Sequence, residues 1–211
     1  RFESRGLGDV YKRQMSAYQD TYANVHRGLH FLSEASTDLY EAVRGKVAGF
    51  IGAASGDEIV LTSGATMSLN LIARCWAQPR LQPEDEILIS IAEHHANIVP
   101  WQMVAEATGA RVRAFTLEDD GAFSMARLKA EMSEYTRIIS VPHVSNVLGT
   151  VFPVAEIAEL AHDAGALMVV DGCQGVVHMP VDVTALGADF YVFSAHKLYG
   201  PNGVGVLWGR S

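Results

Sequence analysis

Two residues of opposite charge, Asp171 and Lys197, follow apolar runs that have the length of buried β-strands. Residues 166–170 (ALMVV) lead directly to Asp171, and residues 191–193 (YVF) come shortly before Lys197. One strand–crossover–strand unit separates the two residues, and ligands of parallel sheets bind at the carboxyl ends of the strands. A carboxylate and an amine in one crevice are the groups that pyridoxal phosphate (PLP) requires, for its ring nitrogen and its aldehyde.

Each of these residues has a simpler explanation when taken alone. Asp171 has the position of a helix N-cap or a loop residue. Lys197 has that of a lysine whose stem packs at a strand end while its amine stays in water. We expect partial burial of Lys197, because burial favours the neutral amine that forms Schiff bases. The pairing of the two residues favours the cofactor site.

Polar residues also follow three other predicted strands. Residues 63–66 (SGAT) precede a helix, and backbone N–H groups in such a turn can bind phosphate, although many α/β turns look similar. His94 and His95 follow a second strand, and an imidazole there can stack on a planar ring or simply be a hydrogen-bonded loop residue. Asn146, after a third strand, can hydrogen-bond a ring hydroxyl. These positions agree with a ligand site at one edge of a sheet.

Helical and strand-like segments alternate from about residue 35. The predicted strands are residues 58–62, 86–91, 111–115, 137–141, 166–170, 190–193 and 205–208, and the helices between them include 66–76, 99–108, 125–132 and 154–164. This alternation predicts an α/β fold with a mostly parallel seven-stranded sheet flanked by helices. The last connection leaves little room for a crossover helix, which predicts an antiparallel final strand. Its glycines lack the G-x-G-x-x-G spacing and a following helix, which disfavours a Rossmann cofactor.

Composition limits the class of protein. The chain has 211 residues, 49% of them hydrophobic, enough for one domain with a sizeable core. A net charge of -8 without a long run of one sign argues against nucleic acid or an anionic membrane as partner. The apolar runs are too short to span a bilayer. Cys75 and Cys173 form neither a metal-like spacing nor a disulfide framework, which favours a cytoplasmic location without a metal site.

Residues 1–14 differ from the rest of the chain. They show no clear apolar period, and they mix Arg, Gly and Lys without a signal-peptide core. We therefore expect a non-native leader in residues 1–14 and a PLP-binding large domain in residues 15–211.

The motifs together resemble the class V aminotransferase group of fold-type I PLP enzymes. Within that group they are similar to the Suf-type (group II) cysteine desulfurases, which include selenocysteine lyase-like members. The resemblance covers roughly residues 18–210. It is carried by residues 23–28 (ANVHRG), 62–66 (TSGAT), 93–101 (EHHANIVPW), 143–149 (HVSNVLG), 171–174 (DGCQ) and 193–201 (FSAHKLYGP).

The resemblance implies roles around the cofactor ring. Lys197 is expected to hold PLP as a Schiff base and later to move the substrate proton. Asp171 is expected to pair with the ring nitrogen, while Gln174 and Asn146 lie near the ring oxygen. His94 is expected to stack on the ring and to act as an acid or base.

The same resemblance assigns the phosphate and the mouth of the site. Thr66, Ser194 and His196 are expected to hold the phosphate. His26 is similar to the family's substrate-side histidine at the entrance of the active site.

The implied reaction converts L-cysteine to L-alanine and moves the sulfur onto the enzyme as a persulfide, for iron–sulfur cluster assembly. A homodimer and a Suf-type sulfur-acceptor protein are the implied partners. Three alternatives remain open: a selenocysteine lyase acting on L-selenocysteine, another class V aminotransferase-family enzyme, and a catalytically inert fragment.

The chain departs from the family pattern in three respects. The family's opening segment has no counterpart in residues 1–14. Its nucleophilic cysteine and carboxylate-binding arginine belong to a C-terminal small domain, which we expect to be absent, leaving a large domain truncated at both ends and inactive in isolation. Cys75 lies in the apolar pattern of a helix and is expected in the core, and Cys173 is expected to serve packing.

Overall fold

A computed structural model describes residues 5–211. In this range the strands are β1 (Ile59–Thr62), β2 (Glu86–Ser90), β3 (Arg111–Phe115), β4 (Thr136–Pro142), β5 (Leu167–Asp171), β6 (Phe190–Ser194) and β7 (Gly205–Gly209). The α-helices are α1 (Arg5–Ser16), α2 (Phe31–Ile51), α3 (Ala65–Leu71), α4 (Val99–Thr108), α5 (Met125–Glu131), α6 (Val154–Asp163) and α7 (Gly175–His178). Each predicted strand lies within one residue of an observed strand at both ends.

The strands form one sheet in the order β1-β7-β6-β5-β4-β2-β3. Strands β2 to β6 pair in parallel, whereas β7 is antiparallel to both β6 and β1. The mostly parallel seven-stranded α/β fold and the antiparallel last strand are therefore confirmed. Because β1 and β6 both run opposite to β7, β1 ends at the same edge of the sheet as the parallel strands.

Helices cover both faces of the sheet, as a buried parallel sheet requires. In β2, Leu88 packs on the face covered by α2, α5 and α6, with Leu128 and Ile157 in the same cluster. Its neighbours along the strand point the other way, where Ile87 packs with Trp101 of α4 and with α3. All of these side chains are fully buried, and each contributes about 1.5–3 kcal/mol to folding.

The first helix, α1, occupies much of the segment that lacked an apolar period. From residue 8 onward its side chains are mostly exposed, so the sequence of this helix has no apolar stripe that would have predicted it. Residues 1–4 lie outside the described part of the chain, and the boundary at residue 14 stays a prediction. None of the helices in residues 5–211 has the length and hydropathy needed to cross a bilayer.

Cys75 is exposed, so its expected place in the core is wrong. The helix predicted for residues 66–76 is α-helical only through Leu71 and continues as a π-helical segment, Ile72–Ala77. The wider π turn shifts the buried face by one residue. Ala73 and Ala77 face the core, and Cys75 is turned toward solvent.

Candidate active site

A cavity of about 220 Å³ lies at the carboxyl edge of the sheet, where the loops after β1, β2, β4, β5 and β6 meet. This is the edge at which α/β folds bind ligands. Eight of the nine residues predicted for the site line the cavity: Thr66, His94, Asn146, Asp171, Gln174, Ser194, His196 and Lys197. The ends of five different strands, with the loops that follow them, bring these residues together, so the fold rather than sequence proximity assembles the site.

His26, the ninth residue, does not line this cavity. Its Nε2 lies 3.0 Å from Oε1 of Glu41 on α2, and its backbone N–H donates to Oγ1 of Thr37 at 3.0 Å. Its φ of 61° is in the left-handed region, so the local turn constrains it. The substrate-side role of His26 stays a prediction.

Asp171 is the last residue of β5 and is buried. Its Oδ1 accepts the backbone N–H of Cys173 at 3.0 Å, which turns the chain sharply at the strand end. Burial raises the pKa of this carboxyl, and the Cys173 N–H and the charge of Lys197 only partly oppose the effect. A buried carboxylate of this kind gains most from a cationic partner that occupies the cavity.

A buried histidine–tyrosine pair supports the Asp171 turn from below. Nδ1 of His143 lies 2.9 Å from the hydroxyl of Tyr191, and the backbone N–H of His143 donates to the Asp171 carbonyl at 2.8 Å. Gly172 and Gly175 pass directly over these two rings, and a Cβ on either glycine would overlap them. The turn therefore lies closer to the sheet than any side chain would allow.

Gly172→Ala is expected to destabilise the chain by about 3 kcal/mol, because the added methyl overlaps the fixed Tyr191 ring. Gly49→Ala is the matched control: it adds a methyl in open space on α2 and should stabilise by about 1 kcal/mol. Urea unfolding of both variants measures the difference. Equal stability of Gly172→Ala and the unmodified chain would show that Tyr191 can move aside.

The turn after β1 packs against the end of β6. Gly205 lies between Thr62 and Ser194 in the register of the sheet, and a Cβ there would overlap the backbone of Gly64. This close approach lets Oγ of Ser194 accept the backbone N–H of Ala65 at 2.8 Å. The Ala65 N–H is thus occupied, while the Ser194 hydroxyl, which borders the cavity, still has its own proton to donate.

His94 caps a short 3₁₀ turn, and this contact fixes its ring. Its Nδ1 accepts the backbone N–H of Ala96 at 3.1 Å. In the neutral ring the proton is therefore on Nε2. The ring borders the cavity with this N–H as its remaining polar group.

Lys197 lies in the 3₁₀ turn Ala195–Leu198 that follows β6, and it is exposed. The expected partial burial of Lys197 is wrong, because the chain has already left the core at this point. Lys197 nevertheless borders the cavity, and its positive charge lowers the pKa of Asp171. Access to the cavity, rather than burial, is what the fold provides for this amine.

The two amides predicted to lie near the ring oxygen have different surroundings. Asn146 is exposed on the loop after β4. The Oε1 of Gln174 lies 3.2 Å from Nε2 of His178, one turn further along, which directs the Gln174 side chain along α7.

Cys173 borders the cavity, but its thiol is mostly buried. Burial, followed by the negative charge of Asp171, raises the pKa of the thiol far above its ordinary value. A thiol in this state is a poor nucleophile, which agrees with a packing role for Cys173.

Glu93 lies in one of the segments that carry the family resemblance, but the sequence alone predicts no role for it. It precedes His94, and both of its carboxylate oxygens are buried. An acidic residue three positions after a fully buried strand, between the strand and a cavity histidine, was the available signal.

The residues present fit PLP. A buried carboxylate faces the cavity for a cationic ring nitrogen, an accessible amine borders it for an aldehyde, and hydroxyl and imidazole groups border it for a phosphate. This donor set suits a ring that carries both a cation and an anion. Within residues 5–211, no three His, Cys, Asp or Glu side chains form a group that could hold a metal ion.

Comparisons with known proteins agree with this geometry. The chain is 52% identical over 202 residues to a cysteine desulfurase of Dickeya dadantii, covering 96% of this chain and 49% of the relative. It is 50% identical to a cysteine desulfurase of Serratia proteamaculans, covering 95% of this chain and 50% of the relative. The chain thus spans about half the length of the curated relatives it matches.

Solved structures of cysteine desulfurases have the same fold. The Escherichia coli cysteine desulfurase CsdA is 43% identical with a TM-score of 0.86, over 98% of this chain and 51% of that one. The apo cysteine desulfurase of Thermococcus onnurineus is 38% identical with a TM-score of 0.90, over 97% and 50%. The family model described as aminotransferase class-V matches residues 4–211. The chain therefore belongs to the class-V aminotransferase family, whose members use PLP.

Proposed function

We propose that the protein carrying this chain is a PLP-dependent cysteine desulfurase, which converts L-cysteine to L-alanine and moves the sulfur onto an enzyme cysteine. The observation that carries the proposal is the cavity, where Lys197 and the buried Asp171 border the same space. PLP bound there supplies an electron sink for the substrate's α-carbon. The chain's own residues supply orientation and proton transfer.

The residues around the ring have distinct tasks in this proposal. The Asp171 carboxylate keeps the ring nitrogen protonated, since burial makes any opposite charge beside it strongly favourable. Lys197 would hold the cofactor and would move a proton at the substrate's α-carbon. His94 presents its Nε2–H to the cavity because Nδ1 is held by Ala96.

A second group of cavity residues would hold the phosphate of the cofactor. Thr66, Ser194 and His196 border the cavity and offer two hydroxyl groups and an imidazole. Ser194 is already fixed by its bond to the Ala65 N–H, so its hydroxyl is oriented before the ligand binds. Preorganised donors of this kind lose little entropy on binding.

Neither cysteine of the chain suits the sulfur-accepting role. Cys75 is exposed but does not border the cavity, and Cys173 has a buried thiol with a strongly raised pKa. We therefore propose that the persulfide forms on a cysteine other than these two.

The finer assignment is to the Suf-type subgroup, working in iron–sulfur cluster assembly with a Suf-type sulfur-acceptor protein. Its support is the set of sequence segments that resemble this subgroup. A homodimer is part of the same proposal, and exposed apolar side chains on and before α2, including Leu29, Phe31, Leu39 and Phe50, favour it. A molar mass measured in solution tests the dimer.

The test is product analysis with the protein that carries this chain, loaded with PLP and supplied with L-cysteine and a thiol reductant. We expect equimolar alanine and sulfide, and no product from the Lys197→Ala variant. A 2-oxo acid in place of alanine would contradict the desulfurase and favour an aminotransferase. Turnover restricted to L-selenocysteine would favour the selenocysteine lyase alternative.

A further inference from the structure

A second buried carboxyl lies beside Asp171 and has no part in the chemistry proposed above. Both oxygens of Glu93 are inaccessible to solvent, and neither makes a hydrogen bond of ordinary geometry within residues 5–211. Glu93 follows the buried strand β2, and Asp171 ends β5. The two carboxyl groups are close enough for the Asp171 charge to act on Glu93.

The amide of Asn97 faces Glu93 with its NH₂ group. Oδ1 of Asn97 accepts Nε1–H of Trp101 at 2.9 Å and the hydroxyl of Ser140 at 2.8 Å. These two donors fix which end of the amide is oxygen. Nδ2, which is buried and also lacks a partner of ordinary geometry, is thereby directed to the Glu93 carboxyl.

We propose that Glu93 is a positioning residue held as a neutral carboxylic acid beneath the cofactor site, so that a single negative charge, on Asp171, faces the ring nitrogen. The inference rests on the proposed binding of PLP for its functional meaning, but the protonation of Glu93 is a property of the chain itself.

The surroundings of the two carboxyls decide which one keeps the proton. Glu93 faces Asp171, the Asn97 amide and the backbone N–H of His94; burial and then the Asp171 charge raise its pKa, and the two N–H groups only partly offset this. Asp171 faces the Cys173 N–H and the positive charge of Lys197, both of which favour its ionised form. Two adjacent buried carboxyls cannot both ionise at low cost, so the proton stays on Glu93.

A neutral Glu93 has two consequences for the site. It leaves one negative charge to match the one positive charge of a protonated pyridine ring, so no unpaired charge is buried. A neutral Glu93 also keeps a carbonyl oxygen as an acceptor for the Asn97 amide, whose own oxygen is held by Trp101 and Ser140. Glu93 acts on the cofactor only through these neighbours.

Infrared difference spectroscopy of the full chain without PLP tests the protonation directly. We expect a carbonyl band of a protonated carboxylic acid at neutral pH that disappears in Glu93→Gln and persists in Asp171→Asn. A band that is lost only in Asp171→Asn would mean that Asp171, not Glu93, carries the proton, and would overturn the proposal. The absence of any such band, or two bands of which each variant loses one, would overturn it as well.

The positioning role is tested by PLP affinity, measured by absorption titration of two matched variants. Glu93→Gln keeps a neutral group that accepts from Asn97 and should bind PLP within about threefold of the unmodified chain. Glu93→Met keeps the volume but leaves the Asn97 amide unpaired, and should bind about tenfold more weakly. Equal affinity in both variants would overturn the role. If the unmodified chain failed to bind PLP, the proposed function would fall while the infrared result would stand.

Discussion

The Lys197→Ala variant is expected to lose all covalent attachment of PLP. Reduction with borohydride fixes a lysine-bound cofactor as a stable amine, and mass spectrometry of the digested chain then locates it. The unmodified chain should carry the added mass on the peptide containing Lys197, together with the visible absorption of lysine-bound PLP. The variant should show neither, because its remaining contacts hold the cofactor only non-covalently.

Position excludes the other lysines from this role. The chain has four lysines, and the other three, Lys12, Lys46 and Lys129, lie on helices α1, α2 and α5. None of them borders the cavity. Lys129→Ala is the matched control and should leave labelling unchanged. Retention of the label in Lys197→Ala would mean that PLP is attached to a residue other than Lys197, which would contradict the site described above.

The strands and their polar ends were predictable because each buried strand of a parallel sheet is a continuous apolar run. Asp171 and Asn146 follow such runs, and their common edge follows from parallel pairing alone. The antiparallel direction of β7 followed from the length of the connection after β6. The fold class and most of the cavity-lining residues could thus be predicted from local patterns in the sequence.

Other features depend on relations that sequence patterns do not contain. The exposure of Cys75 results from a π turn, which leaves no compositional mark. The exposure of Lys197 depends on where β6 ends and a 3₁₀ turn begins. The effect of the Asp171 charge on Glu93 acts between the ends of the non-adjacent strands β5 and β2. The His143–Tyr191 hydrogen bond likewise joins the loop after β4 to β6. Such pairs require the sheet order and register before they can be recognised.

The Asp171→Asn variant is expected to have opposite effects on cofactor binding and on stability. Asparagine keeps an oxygen for the Cys173 N–H but has no charge for a protonated ring nitrogen. PLP affinity should fall roughly 100-fold, corresponding to about 3 kcal/mol for a hydrogen bond to a charged group. Without PLP, the same substitution removes a buried carboxylate and should stabilise the chain at neutral pH.

The pH dependence distinguishes this cause from a general packing effect. Because burial raises the pKa of Asp171 in the folded chain, the folded state holds this proton at pH values where the unfolded state has lost it. The contribution of Asp171 to stability is therefore complete below the unfolded pKa and is lost as the pH rises through the folded one. The stability advantage of Asp171→Asn should be small in acid and grow toward neutral and alkaline pH.

Urea unfolding of the cofactor-free chain at about pH 5 and about pH 8 measures this difference. Asp163→Asn, at the exposed end of α6, is the control and should change stability by less than about 0.5 kcal/mol at either pH. An advantage of Asp171→Asn that shrinks as the pH rises would contradict a raised pKa for Asp171. Unchanged PLP affinity would contradict its pairing with the ring nitrogen. If both expected effects are observed, Asp171 is a charge that the fold buries at a cost in stability because the bound cofactor repays it.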